Sequence, residues 1–150
     1  MKYGDPPVVR SLLPKQDEVG TSSLREGPAD LTPMVLRIRE GLPFGEFHAL
    51  RALLAIPEEE LGRLLGISPA TLNRRKKSRH LGTPESERVV RFARLFGIAM
   101  DVLGTEEAAR GWLKTANPGT AGECPLSYAD TEFGAREVEN LLGRLDHGVF

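Results

Sequence analysis

From Pro33 onward, apolar residues recur three and four positions apart, and nowhere do they alternate over a useful length. That spacing predicts helices and no substantial sheet. Thr32-Pro33 caps and starts a short helix through Arg39, closed by Gly41 and Pro43. Phe44, Phe47, Leu50 and Leu54 make one apolar stripe. Pro57 ends that helix and opens the next, whose first turn holds Glu58, Glu59 and Glu60; acids there complement the positive helix end. Gly66 stops it. Ser68-Pro69, an N-cap followed by a first-turn proline, starts another, and Thr83-Pro84-Glu85 repeats the device. The longest helix runs from about Pro84 to Leu103, with Val89, Phe92, Phe96, Ala99 and Leu103 on one face and Val90, Leu95, Ile98 and Val102 elsewhere. Apolar surface on that scale makes a helix central, or faces it to a partner chain. Thr105 caps a helix through about Leu113. Residues 117–125, with two glycines and two prolines, form a loop. Thr131 or Asp130 caps a last helix carrying Phe133, Val138, Leu141, Leu142 and Leu145.

The expected architecture is all-α. Residues 1–32 form a flexible N-terminal arm, residues 33–103 a helix-turn-helix bundle for DNA binding and dimerisation, and residues 104–150 a small helical module. The arm is inferred from poverty of apolar residues. Five of the eleven prolines fall at positions 6, 7, 14, 28 and 33, and the apolar runs are only Val8-Val9 and Leu12-Leu13. Such a stretch buries too little surface to offset its ordering, and it stays a tail unless a partner orders it.

Residues 61–77 carry the most specific local pattern. Leu61, Leu64 and Leu65 face inward, with Gly62 between them small enough for close approach of a second helix. Gly66 supplies a turn, Ile67 plugs the corner, Ser68 caps the next helix and Leu72 points back to the core. Two short helices around a turn of three to four residues make a helix-turn-helix. Charge agrees. Residues 58–67 hold three acids and one base, whereas residues 68–82 hold five bases and no acid. The expected DNA-contacting set is Ser68, Thr71, Asn73, Arg74, Arg75, Lys76, Lys77 and Arg79. Thr71, Asn73 and Arg74 reach base edges, and the remaining cations meet phosphate. Arg75 stands where such units often place an apolar residue, so its aliphatic stem covers the core, Leu81 fills the gap, or the helix is tilted differently from the common case. One reading helix spans few base pairs, which implies a homodimer on double-stranded operator DNA. The surplus apolar face of the long helix, at Val89, Phe92, Phe96 and Met100, is the expected seam.

Net charge is −1 over 150 residues, which excludes a uniformly basic nucleic-acid coat and leaves only the local patch. No apolar run approaches membrane-spanning length and no secretory leader is visible, so the expected location is cytoplasmic, without a membrane partner. A lone Cys124 excludes a disulfide framework and a cysteine zinc cluster. The three histidines lack metal-ligand spacing, and no phosphate-binding glycine loop follows a strand. No enzyme activity, cofactor or metal is expected.

The C-terminal third adds a resemblance. Ala108-Ala109-Arg110-Gly111-Trp112-Leu113 is followed by Asn117-Pro118 and Pro125-Leu126, then Thr131, Gly134-Ala135-Arg136, Val138, Leu141-Leu142-Gly143-Arg144 and Gly148-Val149. This resembles the toxin-binding domain of the Xre/MbcA/ParS antitoxin family. The preceding unit, with Leu72 and Arg74-Arg75, is similar to the Xre-type DNA-binding domain of the same proteins, and the likeness covers about residues 40 to 150. It departs at Thr120-Ala121-Gly122, where relatives tend to carry Leu-Gly-Gly. The resemblance implies an antitoxin of a type II toxin–antitoxin pair. Its partner is a RES-domain toxin that consumes NAD⁺ and whose cofactor cleft the antitoxin obstructs, and its helix-turn-helix represses the shared operon. The alternative is a stand-alone dimeric repressor without a toxin.

Two features bear on how a toxin is held. Trp112, the only tryptophan, ends a helix before a loop, as a core anchor or an interface anchor. At the chain end, Arg144, Asp146, His147, Gly148, Val149 and Phe150 form the expected toxin-binding set, with the terminal Phe either filling a partner pocket or folding back. Residues 115–150 hold six acids and two bases, which suits a cleft made positive for an anionic dinucleotide.

Overall fold

The computed structural model describes residues 7–14 and 32–148. Among them the fold is all-α, as the spacing predicts, with one isolated antiparallel bridge between Pro43 and His80. The elements are α1 (Val8–Ser11), α2 (Thr32–Glu40), α3 (Gly45–Leu54), α4 (Glu58–Leu64), α5 (Pro69–Ser78), α6 (Thr83–Leu103), α7 (Glu106–Lys114), a 3₁₀ turn (Pro118–Thr120), α8 (Pro125–Tyr128) and α9 (Glu132–Asp146).

The helix starts are set by local chemistry. The Ser68 hydroxyl accepts from the Thr71 N–H at 3.2 Å, the Thr105 hydroxyl from Ala108 N–H at 3.0 Å, and the Thr131 hydroxyl from Gly134 N–H at 3.1 Å. Each satisfies a backbone donor that has no partner inside its helix.

α6 is the spine, about 31 Å long at 1.5 Å per residue. It packs against α1, α2, α3, α7 and α9. Its apolar residues therefore face neighbours almost all round. The expected dimer seam does not lie on the surface of the chain. Val89, Phe92 and Phe96 are at most 1 % exposed and Met100 is 6 % exposed, all inside the chain's own core. Helices at both ends of the sequence cover the surface that a second copy would have needed.

Part of that cover comes from the expected arm. Val8 and Val9 are fully buried, and their N–H groups donate to the two carboxylate oxygens of Glu46 at 2.9 Å each. Glu46 is itself buried on α3, so it acts as an anionic cap for a helix whose first donors are free. Leu12 lies against α6 at Gly97, where an added Cβ would overlap the Leu12 carbonyl. The other arm residues, 1–6 and 15–31, lie outside the described residues.

No linker separates the two expected domains, because α6 serves both. At the C-terminal end of α3, Ala55 takes φ +52°. There the Arg110 guanidinium donates to the Leu53 carbonyl at 2.8 Å and the Lys114 ammonium to the Ala55 carbonyl at 3.0 Å. Two cations from α7 thus satisfy the negative end of α3.

The loop departure noted above is absorbed locally. Thr120, the first residue of that departure, is fully buried and donates its hydroxyl to the Glu123 carbonyl at 2.6 Å. Ala121 adopts φ +55°, a left-handed conformation that costs an L-residue about 1 kcal/mol relative to Gly. α8, absent from the sequence expectation, is one turn long and buries Leu126 within the C-terminal module.

Candidate functional site

α4 and α5 are joined by residues 65–68. Leu61 and Leu65 are fully buried, Ile67 is buried at the corner, and Leu72 returns from α5 to the core. Gly66 turns the chain at φ +67°, a conformation suited to glycine. The Arg88 guanidinium on α6 donates to the Leu65 carbonyl at 2.6 Å, so the corner is braced from the spine. Gly62 is buried, yet an added Cβ would meet only ordinary contacts, 3.5 Å to the Ile67 carbonyl and 4.0 Å to Leu72. Close approach therefore does not demand glycine there.

The eight residues expected to contact DNA divide into two groups. Ser68, Asn73, Arg74, Lys77 and Arg79 are exposed, and Thr71 is half-buried. Asn73, Arg74 and Lys77 recur at helical spacing and share the outer face of α5. The Arg74 guanidinium donates to the Thr71 hydroxyl at 3.1 Å, and that hydroxyl also accepts from Ser68 at 3.0 Å, so this end of the helix is pre-ordered. Arg79 ends α5 at φ +64°, and its carbonyl accepts from the Phe44 N–H at 2.9 Å.

Arg75 and Lys76 are engaged within the chain. Arg75 donates to one Glu85 oxygen from Nε at 3.4 Å and from Nη2 at 3.2 Å, and Glu85 is buried. The pair sits over Gly82, where any side chain would overlap the Glu85 carboxylate. Leu81, 3 % exposed, fills the adjoining core. The position that often carries an apolar residue is thus served by an inward ion pair beside a leucine. Lys76 pairs with Glu58 on α4. The sequence signal for these acids was their place in a helix's first turn, which did not reveal their partners.

In the C-terminal module, Arg144, Asp146, His147 and Gly148 are exposed at the end of α9, while Val149 and Phe150 lie outside the described residues. Trp112 is partly buried against the core. Phe133 departs from expectation. Grouped in sequence with the apolar residues of the last helix, it is 81 % exposed, whereas Val138 and Leu142 are fully buried. A helical wheel of α9 carried the missing information, because Phe133 falls on the side opposite Ala135, Val138 and Leu142.

Cys124 is half-buried with its sulfur 3.1 Å from the Ser127 hydroxyl. Among the described residues no cluster of three or more His, Cys, Asp or Glu side chains is arranged to hold a metal ion, and no helix is long and apolar enough to cross a membrane.

Fold and surface together define a helix-turn-helix protein with a helical C-terminal module built onto the same spine. Residues 33–94 match the antitoxin Xre-like helix-turn-helix domain, and residues 99–148 match the antitoxin Xre/MbcA/ParS C-terminal toxin-binding domain. An antitoxin Xre of Yersinia enterocolitica is 37 % identical over 121 residues, covering 79 % of this chain and 82 % of the relative. An antitoxin Xre of Photorhabdus laumondii is 32 % identical over 114 residues, covering 75 % and 77 %. The chain belongs to the Xre antitoxin family.

Proposed function

We propose that this antitoxin neutralises a RES-domain toxin that consumes NAD⁺, obstructs the toxin's cofactor cleft, and represses the shared operon as a homodimer on operator DNA. The observation that carries the DNA half is the outer face of α5. Asn73, Arg74 and Lys77 stand exposed beside a capped, braced turn, while Arg75 and Lys76 are paired with Glu85 and Glu58. Asn73 and Arg74 read base edges and Lys77 meets phosphate. The protein's role is regulatory rather than catalytic. Dimerisation uses a surface other than Val89, Phe92, Phe96 and Met100; exposed aliphatic surface remains on α2 at Val35 and Leu36, 41 % and 51 % exposed.

Electrophoretic shift on the chain's own promoter tests the DNA half. Arg74→Ala is expected to cost about 1–3 kcal/mol at particular base pairs. Lys77→Ala should weaken all sequences alike and flatten the salt dependence by roughly one phosphate contact, about 0.9 in log–log slope. Arg75→Ala should act through stability instead, since its partner is Glu85. Unchanged operator affinity for Arg74→Ala overturns the choice of reading helix.

The toxin half places Arg144, Asp146, His147 and Gly148, with Val149 and Phe150 beyond them, at the toxin's cleft. The acidic balance of the C-terminal segment, six acids against two bases over residues 115–150, supports an approach to a cationic cofactor site. Removing residues 147–150 is expected to relieve inhibition of NAD⁺ consumption by the purified product of the adjacent reading frame. Neutralisation at equal stoichiometry by the shortened chain rules out that role for the tail.

A further inference from the structure

α9 presents two faces. Ala135, Val138 and Leu142 are buried against the core. Phe133, Glu137, Asn140 and Arg144 recur at i, i+4, i+7 and i+11 on the other side, all of them exposed. They make one stripe about 16 Å long, ending beside His147.

Phe133 is held outward rather than left loose. Its neighbour Gly134 is buried against α8 so closely that an added Cβ would overlap the Tyr128 carbonyl oxygen. The Thr131 hydroxyl caps the same turn through Gly134 N–H. The backbone on both sides of Phe133 is therefore fixed, and the ring cannot turn into the core. Isolated exposed apolar residues need no explanation, but this one has a shaped surrounding. A concavity beside it is lined by Tyr128, Thr131 and Gly134 together with Glu123, Asp130 and Glu137. None of these three acids has an ion-pair partner among the described residues. The nearby Glu132 differs, being paired with both Arg91 and Arg136. An aromatic side chain held outward beside three carboxylates that form no ion pair matches an apolar pocket with a basic rim.

Resting on the toxin-binding function given above, we propose that the outward stripe of α9 is the toxin-docking surface. Phe133 is its anchor, inserting into an apolar pocket of the toxin rimmed by Lys or Arg side chains. The anchor lies at the end of the stripe opposite the C-terminal residues, so affinity and obstruction of the cleft are assigned to separate residues.

The test is calorimetric titration of the full-length chain against the purified product of the adjacent reading frame. Phe133→Ala is expected to weaken binding at least tenfold. Glu137→Lys, which removes no intrachain partner, is expected to weaken it by a similar factor, and by less at high salt. Melting temperature and operator affinity should stay at wild-type values in both variants. Should Phe133→Ala lower the melting temperature, Glu137→Lys decides. Wild-type binding with both variants within twofold of it overturns the docking surface and leaves the antitoxin function standing. Failure of the wild-type chain itself to bind overturns both.

Discussion

Phe96→Asp is expected to leave no folded protein at all. Phe96 lies near the middle of α6 with no exposed surface, inside the chain's own continuous core. Truncating such a ring costs about 3–5 kcal/mol, and a carboxylate with no partner in an apolar interior adds several more. A domain of this size has roughly 5–15 kcal/mol in total, so the sum takes most or all of it. The measurement is far-UV circular dichroism with a thermal melt. Loss of the cooperative transition is the expected result. A folded, monomeric Phe96→Asp protein would return α6 to the role of a dimer seam, and the burial of that face by α1 would need another explanation. The substitution therefore separates two readings of one apolar surface, one facing a second copy and the other facing the chain itself.

Gly134→Ala is expected to damage the C-terminal module selectively. In a helix interior Ala is favoured over Gly by about 1 kcal/mol, so propensity alone predicts stabilisation. Geometry opposes it, because the new methyl would overlap the Tyr128 backbone, and a backbone carbonyl cannot rotate away as a side chain can. Overpacking of this kind costs roughly 3 kcal/mol, and the clash wins. The melting temperature should fall by roughly 10 °C, and toxin affinity should drop because α9 tilts off α8. Operator affinity, measured well below the transition, should hold. Gly143→Ala on the same helix supplies the opposite sign. An added Cβ there meets nothing within 4 Å, so the change should stabilise by about 0.5–1 kcal/mol. Equal effects of the two substitutions would mean that α8 and α9 are not packed as described.

The helix-turn-helix and its flanking caps were legible because each depends on residues only a few positions apart. Ser68, Thr105 and Thr131 accept from donors three residues on, and Gly66 turns the chain by its own backbone freedom. α8 escaped notice because a single turn has no periodicity to read. Its place comes from burying Leu126 and Ala129 under neighbours. The basic patch was legible as a sum of charges but not as a surface. Arg75 belongs to Glu85, ten residues away and across a corner, and Lys76 belongs to Glu58 on the preceding helix.

The N-terminal segment makes the same contrast at longer range. Val8 and Val9 stand among prolines with little apolar company, and local composition reads them as part of a tail. Their burial depends on a carboxylate 38 residues away at Glu46 and on the absence of a side chain at Gly97.

What the sequence alone determined is whatever short-range physics decides: the helical class, the capped starts, the turn at Gly66, and the cationic helix that follows it. Periodicity, caps and local charge act within a turn or two of the chain. What only the tertiary structure decided is which way each face looks: α6 inward on both sides, Arg75 toward Glu85, Phe133 toward solvent. Apolar surface is attracted to any apolar surface, and a charge to any opposite charge, so a one-dimensional pattern cannot name the partner. That choice is made when distant segments compete for the same face, and in this chain α1 and α9 cover the spine that a second copy was expected to cover.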